Sequence, residues 1–382
     1  LIKKLSVVAA ATGLILSLAG STPAHDEKKN PQPGEKVERT IPVDPQATVT
    51  LCVASGALTV RGWDKHEVRV RSIDAEQMEF RRIDKPKDPN TPASRIDVMV
   101  LDKTSRAHPR IDCQAIAEVE MEVPAGATVQ VQTRDGDINV AGVAAVYAGS
   151  QNGEITIEGA TKLVEAGSVG GSIVLRDSSG RVNLSSAGGG VEAANVRAAT
   201  AEDTFEVGTV SGDIQLDRIA TPRVMAKTVS GTLTMSGALV KSGHYSLTNM
   251  TGDMLLAMPH DASFRLMAKV SEKRSIVSEF PLIYAAESAP PGTPMVSPPS
   301  PKPPEVREPR LPPKYKEAMK EKDKTPAKTA PPAKAGPGAG PIAVEKPTVM
   351  VPYVRRVDAI CGSGDATISI ASFGGTVRLK KL

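Results

Sequence analysis

Aromatic side chains are what this sequence has least of: one Trp, five Tyr and five Phe in 382 residues, 3% of the chain. Compact enzymes of this length take much of their buried area from such rings, so an ordinary large globular core is not indicated. Helical periodicity is missing too, because no long window places apolar residues every 3.6 positions. No basic stripe interleaved with aromatics occurs, and the formal net charge is only +4; both argue against a nucleic-acid partner. The three cysteines form no CxxC pair, the five histidines show no HxxH or HExxH spacing, and GxSxG is absent. Structural zinc, a zincin site and a serine-hydrolase elbow are therefore unsupported, and no cofactor, metal or catalytic residue is expected.

Past the first residues, no stretch is apolar and long enough to cross a bilayer. The N-terminus itself reads as a secretory signal peptide: Lys3 and Lys4, an uncharged apolar run over Leu5 to Leu18, then small residues at Ser21-Thr22-Pro23-Ala24 before His25. The expectation is an exported protein, periplasmic or at the cell surface, with residues 1–24 removed and no membrane span after cleavage. In an oxidising compartment Cys52 and Cys113 could pair, since both fall at strand-like positions; buried free thiols fit the same positions. Cys361 is left over.

What is present is a repeat. Glycine, any residue, aliphatic, any residue, aliphatic recurs at Gly136-Asp137-Ile138-Asn139-Val140, at Gly153, Gly171, Gly212, Gly231 and Gly252, and in degenerate form near Gly190. Copies also occur at Gly56, at Gly180 and, close to the end, at Gly375. Across turns 136, 153, 171, 189, 212, 231 and 252 the spacing is 17, 18, 18, 23, 19 and 21 residues. The glycine suits a positive φ or a close backbone approach, and the alternation puts two aliphatics on one face of a strand. One such unit buries too little to fold alone, whereas stacked units share a continuous core. An antiparallel sandwich also shows short strands, but its hairpins recur every 8 to 12 residues. The reading is all-β: a β-solenoid, or β-helix-like repeat stack, with Gly136, Gly153, Gly171, Gly212, Gly231, Gly252 and Gly375 as its structural turns.

Composition divides the rest. Residues 25–40 read as a flexible N-terminus and 41–124 as a less regular N-terminal β region that caps or begins the stack. Residues 125–284 carry the solenoid repeats. From 285 to 352 the chain turns to Pro, Lys and Ala, as in Pro298-Pro299-Ser300-Pro301-Lys302-Pro303-Pro304. Such material cannot bury enough apolar surface to order itself, so it reads as a disordered insert. Residues 353–382 return to strand and are expected to dock on the repeats as the last coil.

Several segments together resemble the bacterial adhesin-like, β-strand-repeat domain of unknown function, a relative of the head GIN domain of candidate adhesins. They are Ser55-Gly56 through Gly62-Trp63-Asp64, Glu67-Val68-Arg69-Val70, Val123-Pro124-Ala125-Gly126-Ala127, the turns at Ser211-Gly212-Asp213 and Thr251-Gly252-Asp253, Ser278-Glu279-Phe280-Pro281-Leu282, and Ser372 to Leu379. The resemblance implies an exported β-solenoid-like domain with adhesion or envelope-stress roles and no catalytic residues to transfer. The Pro/Lys insert and the Cys52/Cys113 pair depart from it.

Parallel β-helices also host polysaccharide lyases and hydrolases, which need two carboxylates facing one cleft. Asp137, Glu154, Asp213 and Asp253 follow turn glycines and could line one edge, although Asp and Glu are also ordinary turn residues. The loop at Asp135 departs from an EF-hand at positions six and twelve, and Gly362-Ser363-Gly364-Asp365 resembles a calcium-binding β-roll fragment but occurs once. The sequence therefore points to a non-enzymatic exported envelope protein, an adhesin-like scaffold or binding module whose partner is a cell-envelope polymer or envelope protein. The alternative is a polysaccharide-active β-helix enzyme using the turn carboxylates.

Overall fold

Alternation of aliphatic and polar residues makes short strands, and the glycines between them turn the chain through two corners per repeat. The computed structural model describes residues 37–73, 75, 77–84, 91–101, 113–271, 276–284 and 354–382. The expected signal peptide, the first part of the expected flexible N-terminus and the Pro-rich insert lie outside the described residues.

Twenty-six strands and no helix occur among the described residues. The N-terminal end is built from β1 (Val37–Ser55), β2 (Leu58–Trp63), β3 (Glu67–Ser72), β4 (Gln77–Arg82), β5 (Ala93–Leu101) and β6 (Val119–Pro124). Seven coils of two strands each follow. They are β7 (Thr128–Asp135) with β8 (Ile138–Ala141), β9 (Ala145–Ser150) with β10 (Ile155–Glu158), and β11 (Leu163–Ser168) with β12 (Ile173–Arg176). Next come β13 (Arg181–Ser186) with β14 (Val191–Arg197), β15 (Thr204–Thr209) with β16 (Ile214–Ala220), β17 (Arg223–Ser230) with β18 (Leu233–Ser236), and β19 (His244–Thr251) with β20 (Met254–Met258). The C-terminal end comprises β21 (Phe264–Ser271), β22 (Ile276–Ser278), β23 (Ile283–Tyr284), β24 (Val354–Cys361), β25 (Ala366–Ser372) and β26 (Val377–Lys381).

Even-numbered strands of the middle coils pair in parallel as an A ladder, from β8 through β10 and β12 to β20. Odd-numbered ones pair in parallel as a B ladder, from β7 through β9 and β11 to β19. This parallel pairing of successive repeats is a solenoid and not an antiparallel sandwich. The long strand β1 gives Val37–Pro42 to the A side and Val43–Ser55 to the B side, so all strands join in one folded sheet.

Between the ladders lies a narrow core of stacked aliphatics. The two aliphatics of each repeat point inward from the A ladder: Ile138 and Val140, Ile155 and Ile157, Ile173 and Leu175, Ile214 and Leu216 are all 2% exposed or less. Each such side chain contributes about 1.5–3 kcal/mol by leaving water. Where the repeat degenerates to Val191 and Ala193, the following B strand supplies Phe205, buried in the same core.

The corner glycines form one column. A Cβ on Gly136, Gly153, Gly171, Gly212, Gly231, Gly252 or Gly375 would collide with the carbonyl oxygen of the glycine one coil before it: Gly56, Gly136, Gly153, Gly189, Gly212, Gly231 and Gly252 respectively. Close backbone approach is thus what requires glycine here, with a positive φ added at Gly231 and Gly252. Three residues before each stands a Ser, Thr or Asn facing inward. Ser168 Oγ accepts the Gly171 amide at 2.9 Å, Ser186 Oγ accepts that of Gly189 at 3.0 Å, and Thr209 Oγ1 donates to the Gly189 carbonyl at 3.1 Å. These bonds satisfy corner groups that the ladder leaves unpaired. The opposite corner uses left-handed backbone at Asp177, Asn195 and Arg218, where Asn195 donates to the Asp177 carboxylate at 2.9 Å.

The ends differ from the expected plan in three respects. Strand structure begins at Val37, inside the segment 25–40 read as flexible, because Val37–Pro42 pairs antiparallel with Ser72–Glu67. No boundary falls at 124/125, because β1 with β2 and β5 with β6 are themselves coils that continue both ladders onto β7 and β8. The closing segment docks on the stack but is not its last coil. Strand β25 lies between β19 and β21, and β26 between β20 and β22. The chain skips one position after β20, lays down β21 and β22, returns along β24 antiparallel to β21, and fills the gap from Ala366 onward. The arch Gly362–Asp365 crosses the start of β21, where the Ser263 hydroxyl meets Ser363 and the Asp365 amide.

Candidate functional site

On the outward side of the B ladder the register sorts the residues into columns. One column reads Thr50, Gln130, Tyr147, Glu165, Asn183, Glu206; the next reads Cys52, Gln132, Gly149, Gly167, Ser185, Gly208. Where the second column drops to glycine the surface sinks. A groove of about 490 Å³ runs over β1, β7, β9, β11 and β13, lined by both columns from Cys52 to Asn183 and Ser185. A second hollow of about 600 Å³ meets it at Asn183 and is lined by Arg181, Thr204, Glu206, Glu202 and Arg223.

The groove glycines are unlike the corner glycines. A Cβ on Gly149 would meet Gln132 Cγ at 3.6 Å, and one on Gly167 would meet Ser185 Oγ at 3.5 Å, both ordinary contacts. Neither residue has a positive φ. The fold itself does not require glycine at either place.

Electrostatics in the groove are sparse. Glu165 is the only charged residue among those lining the first concavity. The second balances Arg181 and Arg223 against Glu202 and Glu206, and neither arginine makes a salt bridge among the described residues. Beside it, the buried Asp203 closes the long corner at 198–203. Burial alone would raise this carboxyl, but hydrogen bonds from the Thr200 and Ala199 amides and the nearby Arg181 charge hold it below the usual range.

The turn carboxylates are set along the A-side corner, and the three aspartates serve the backbone of the next coil. Asp137 accepts the Glu154 amide at 2.9 Å, Asp213 the Thr232 amide at 2.7 Å and Asp253 the Thr376 amide at 2.8 Å. Glu154 accepts the hydroxyls of Thr156 and Ser172, both at 3.2 Å. They stand outside the groove on the B face. Among the described residues no group of three or more His, Cys, Asp or Glu is placed to hold a metal. In the loop at Asp135 the carboxylate is engaged by Arg134 and Asn152, which hold it below the usual range. Cys52, at the groove's end, is joined to Cys113 in a disulfide with Cα atoms 4.8 Å apart, whereas Cys361 is a buried free thiol pushed up by burial. Trp63 packs over its own turn, its indole N–H donating to the Glu67 carbonyl at 2.9 Å with Arg69 over the ring.

A model of the Toastrack DUF4097 family matches residues 37–273, more than half of the chain. The chain belongs to that family. The Toastrack match ends between β21 and β22, so the returning strands β24 to β26 lie beyond it. No curated protein matches the sequence. Solved structures similar to this Toastrack chain include a candidate adhesin from Parabacteroides distasonis (9% identity, covering 59% of this chain and 91% of that one, TM-score 0.38). Another candidate adhesin, from Parabacteroides merdae, covers 59% of this chain and 90% of its own at 9% identity and TM-score 0.37. A candidate lipid binding protein from Parabacteroides distasonis has the same coverage, at 14% identity and TM-score 0.36.

Two features went unread in the sequence. The inward polar column is written as Ser, Thr or Asn three residues before each corner glycine from Gly136 onward, at Thr133, Ser150, Ser168, Ser186, Thr209, Thr228, Asn249 and Ser372. The groove floor is written as Ala148-Gly149-Ser150 and again as Ala166-Gly167-Ser168. Between these columns and the corner runs an exposed apolar ridge, Val169, Val210, Val229, Met250 and Phe373. It is one residue wide, well short of the roughly 800 Å² per partner that a stable interface buries.

Proposed function

We propose that this chain is an exported, non-enzymatic binding module of the bacterial envelope, and that the outward B face carries recognition while the stacked core acts as a rigid scaffold. The observation that carries the reading is the groove from Cys52 to Ser185, a long concavity on rigid strands floored by glycines that the fold does not need. The hydrogen bonding of Asp137, Glu154, Asp213 and Asp253 to neighbouring coils supports a structural role for the carboxylates that an enzyme reading would use. The Cys52–Cys113 disulfide supports an oxidising, extracytoplasmic compartment. The partner in this reading is a cell-envelope polymer or an envelope protein.

Co-sedimentation of the purified protein with isolated cell walls and with membranes tests it, beside a variant lacking 285–350. Saturable pelleting of both proteins is the expected result and places recognition on the solenoid. Pelleting that needs the insert moves the anchor to the Lys/Pro segment and leaves the solenoid as a display scaffold. Absence of pelleting in both sinks the envelope-binding reading.

A further inference from the structure

We propose that the groove over Gly149 and Gly167 is a binding site for an uncharged glycan strand lying across the B ladder. The inference rests on the binding-module reading above and names its ligand.

Glycine inside a strand costs roughly 0.5–1 kcal/mol relative to alanine and contributes no packing. Such a residue often marks a place where something else approaches the backbone closely. At the corners that something is the next coil, since a Cβ there would collide with a carbonyl. At Gly149 and Gly167 the protein supplies no such neighbour; a Cβ would meet only side-chain atoms, at 3.5 to 3.6 Å. The space is left open on the outer face, over two adjacent strands held in register.

What borders that space has the chemistry of a sugar site. Tyr147 presents the only aromatic ring in the two columns that line the groove, and a pyranose ring can lie on it by its apolar C–H face. Gln130, Gln132 and Asn183 each offer an acceptor and a donor pair from one planar head, which matches vicinal hydroxyls. Among the described residues the Gln130 head is engaged by one long hydrogen bond, 3.4 Å from the Thr50 hydroxyl. Glu165 adds an acceptor for hydroxyl protons. The strands follow one another at about 4.8 Å, so a polymer lying across the ladder meets the same two columns once per strand. Charge decides the class. A polyanion would meet Glu165 with no cation among the lining residues, and the adjoining hollow carries two arginines against two glutamates.

The test titrates the purified protein with chitohexaose, cellohexaose and maltohexaose, with heparin and polygalacturonate as charged probes. Tyr147→Ala and Gly167→Thr are run beside it, and all three proteins are pelleted with cell walls. The expected result is saturable binding of at least one neutral oligosaccharide. Tyr147→Ala and Gly167→Thr should each weaken it about tenfold or more, a difference of roughly 1.4 kcal/mol, while Gly167→Thr melts no lower than the parent. Neutral-oligosaccharide binding that both variants leave unchanged overturns the placement. Wall pelleting without any neutral-oligosaccharide binding, or binding of the anionic probes alone, overturns the glycan assignment and leaves the module reading standing. Loss of both pelleting and oligosaccharide binding sinks the two together.

Discussion

The seven middle coils and the two ends of the stack solve different problems. In the middle, spatial order follows chain order, and each coil from β9 with β10 to β19 with β20 rests on the one made just before it. At the ends the order is exchanged. The coil β5 with β6 lies outside β1 with β2, and β21 with β22 lies outside β25 with β26. Antiparallel strands then close the flanks: β4 on β5 and β3 on β6 at one end, β24 on β21 and β23 on β24 at the other. A repeat needs only local agreement with its neighbour. An end must hide an open ladder, which otherwise templates pairing with another chain, and it must keep terminal strands from fraying. The antiparallel strands do the first, and placing the terminal strands one position inside the stack does the second.

The contrast can be broken most severely by removing residues 366–382. Ile368, Ile370, Val377 and Leu379 would leave the core, a local loss on the order of 6–12 kcal/mol at about 1.5–3 kcal/mol each. Hydrogen exchange should show β21, β22 and β24 unprotected while β9 to β14 stay protected. Uniform deprotection would mean that middle and end form one cooperative unit.

The two kinds of glycine sharpen the comparison inside the middle. Gly171→Ala drives a Cβ into the Gly153 carbonyl and should cost about 2–4 kcal/mol by denaturant titration. Gly167→Ala, four residues away, should be neutral or stabilising by up to roughly 1 kcal/mol. Equal costs would refute the distinction on which the groove argument stands.

Reducing the Cys52–Cys113 disulfide should lower stability by about 2–4 kcal/mol, and the loss should fall on β5 and β6 with β24 to β26 unaffected in exchange protection. Smaller again is a paired test of the inward hydroxyls. Thr209→Val removes a bond to the Gly189 carbonyl and should cost about 1–2 kcal/mol. Thr133→Val, at the equivalent position beside the N-terminal end, removes a buried hydroxyl that has no partner among the described residues and should cost nothing or stabilise. The smallest effect belongs to the long corner of the 23-residue repeat. Because the Asp203 carboxyl titrates lower in the folded state, its contribution is complete above the unfolded value near 4 and fades as pH falls through and below it. Asp203→Asn should flatten that acid limb of the stability profile and leave the neutral side parallel to the parent.

The middle of the fold was legible in the residues because its rule is local. Gly136-Asp137-Ile138-Asn139-Val140 states the corner, the inward pair and the outward residues in five positions, and the spacing to Gly153 states the coil. The hydroxyl at Ser168 was equally present in the letters. Its meaning depends on knowing that this position faces inward beneath Gly171, which the aliphatic pattern of the next strand does not reveal. The end order was not legible, because every coil offers the same pair of edges. Nothing in Ala366 to Ser372 distinguishes a place beyond β21 from a place between β19 and β21. The groove was half visible: Ala-Gly-Ser appears twice at the right spacing, but only the absence of a colliding neighbour separates Gly149 and Gly167 from the corner glycines.

The late-filled gap beside β19 and β20 also sets a schedule. Chain leaves a ribosome, or a translocation channel, from its N-terminal side, so Phe264 to Ser278 emerges long before Ala366 to Lys381. During that interval β21 faces an empty seat on β19, and the nearest partner in register is the wrong one. A nascent chain must either wait with that seat vacant or occupy it and later be displaced by β25. Completion of the stack therefore reports that Lys381 has arrived. Anything that lengthens the interval, such as slow passage of the 285–352 segment, extends the time for which an adhesive edge is on offer to a second nascent chain.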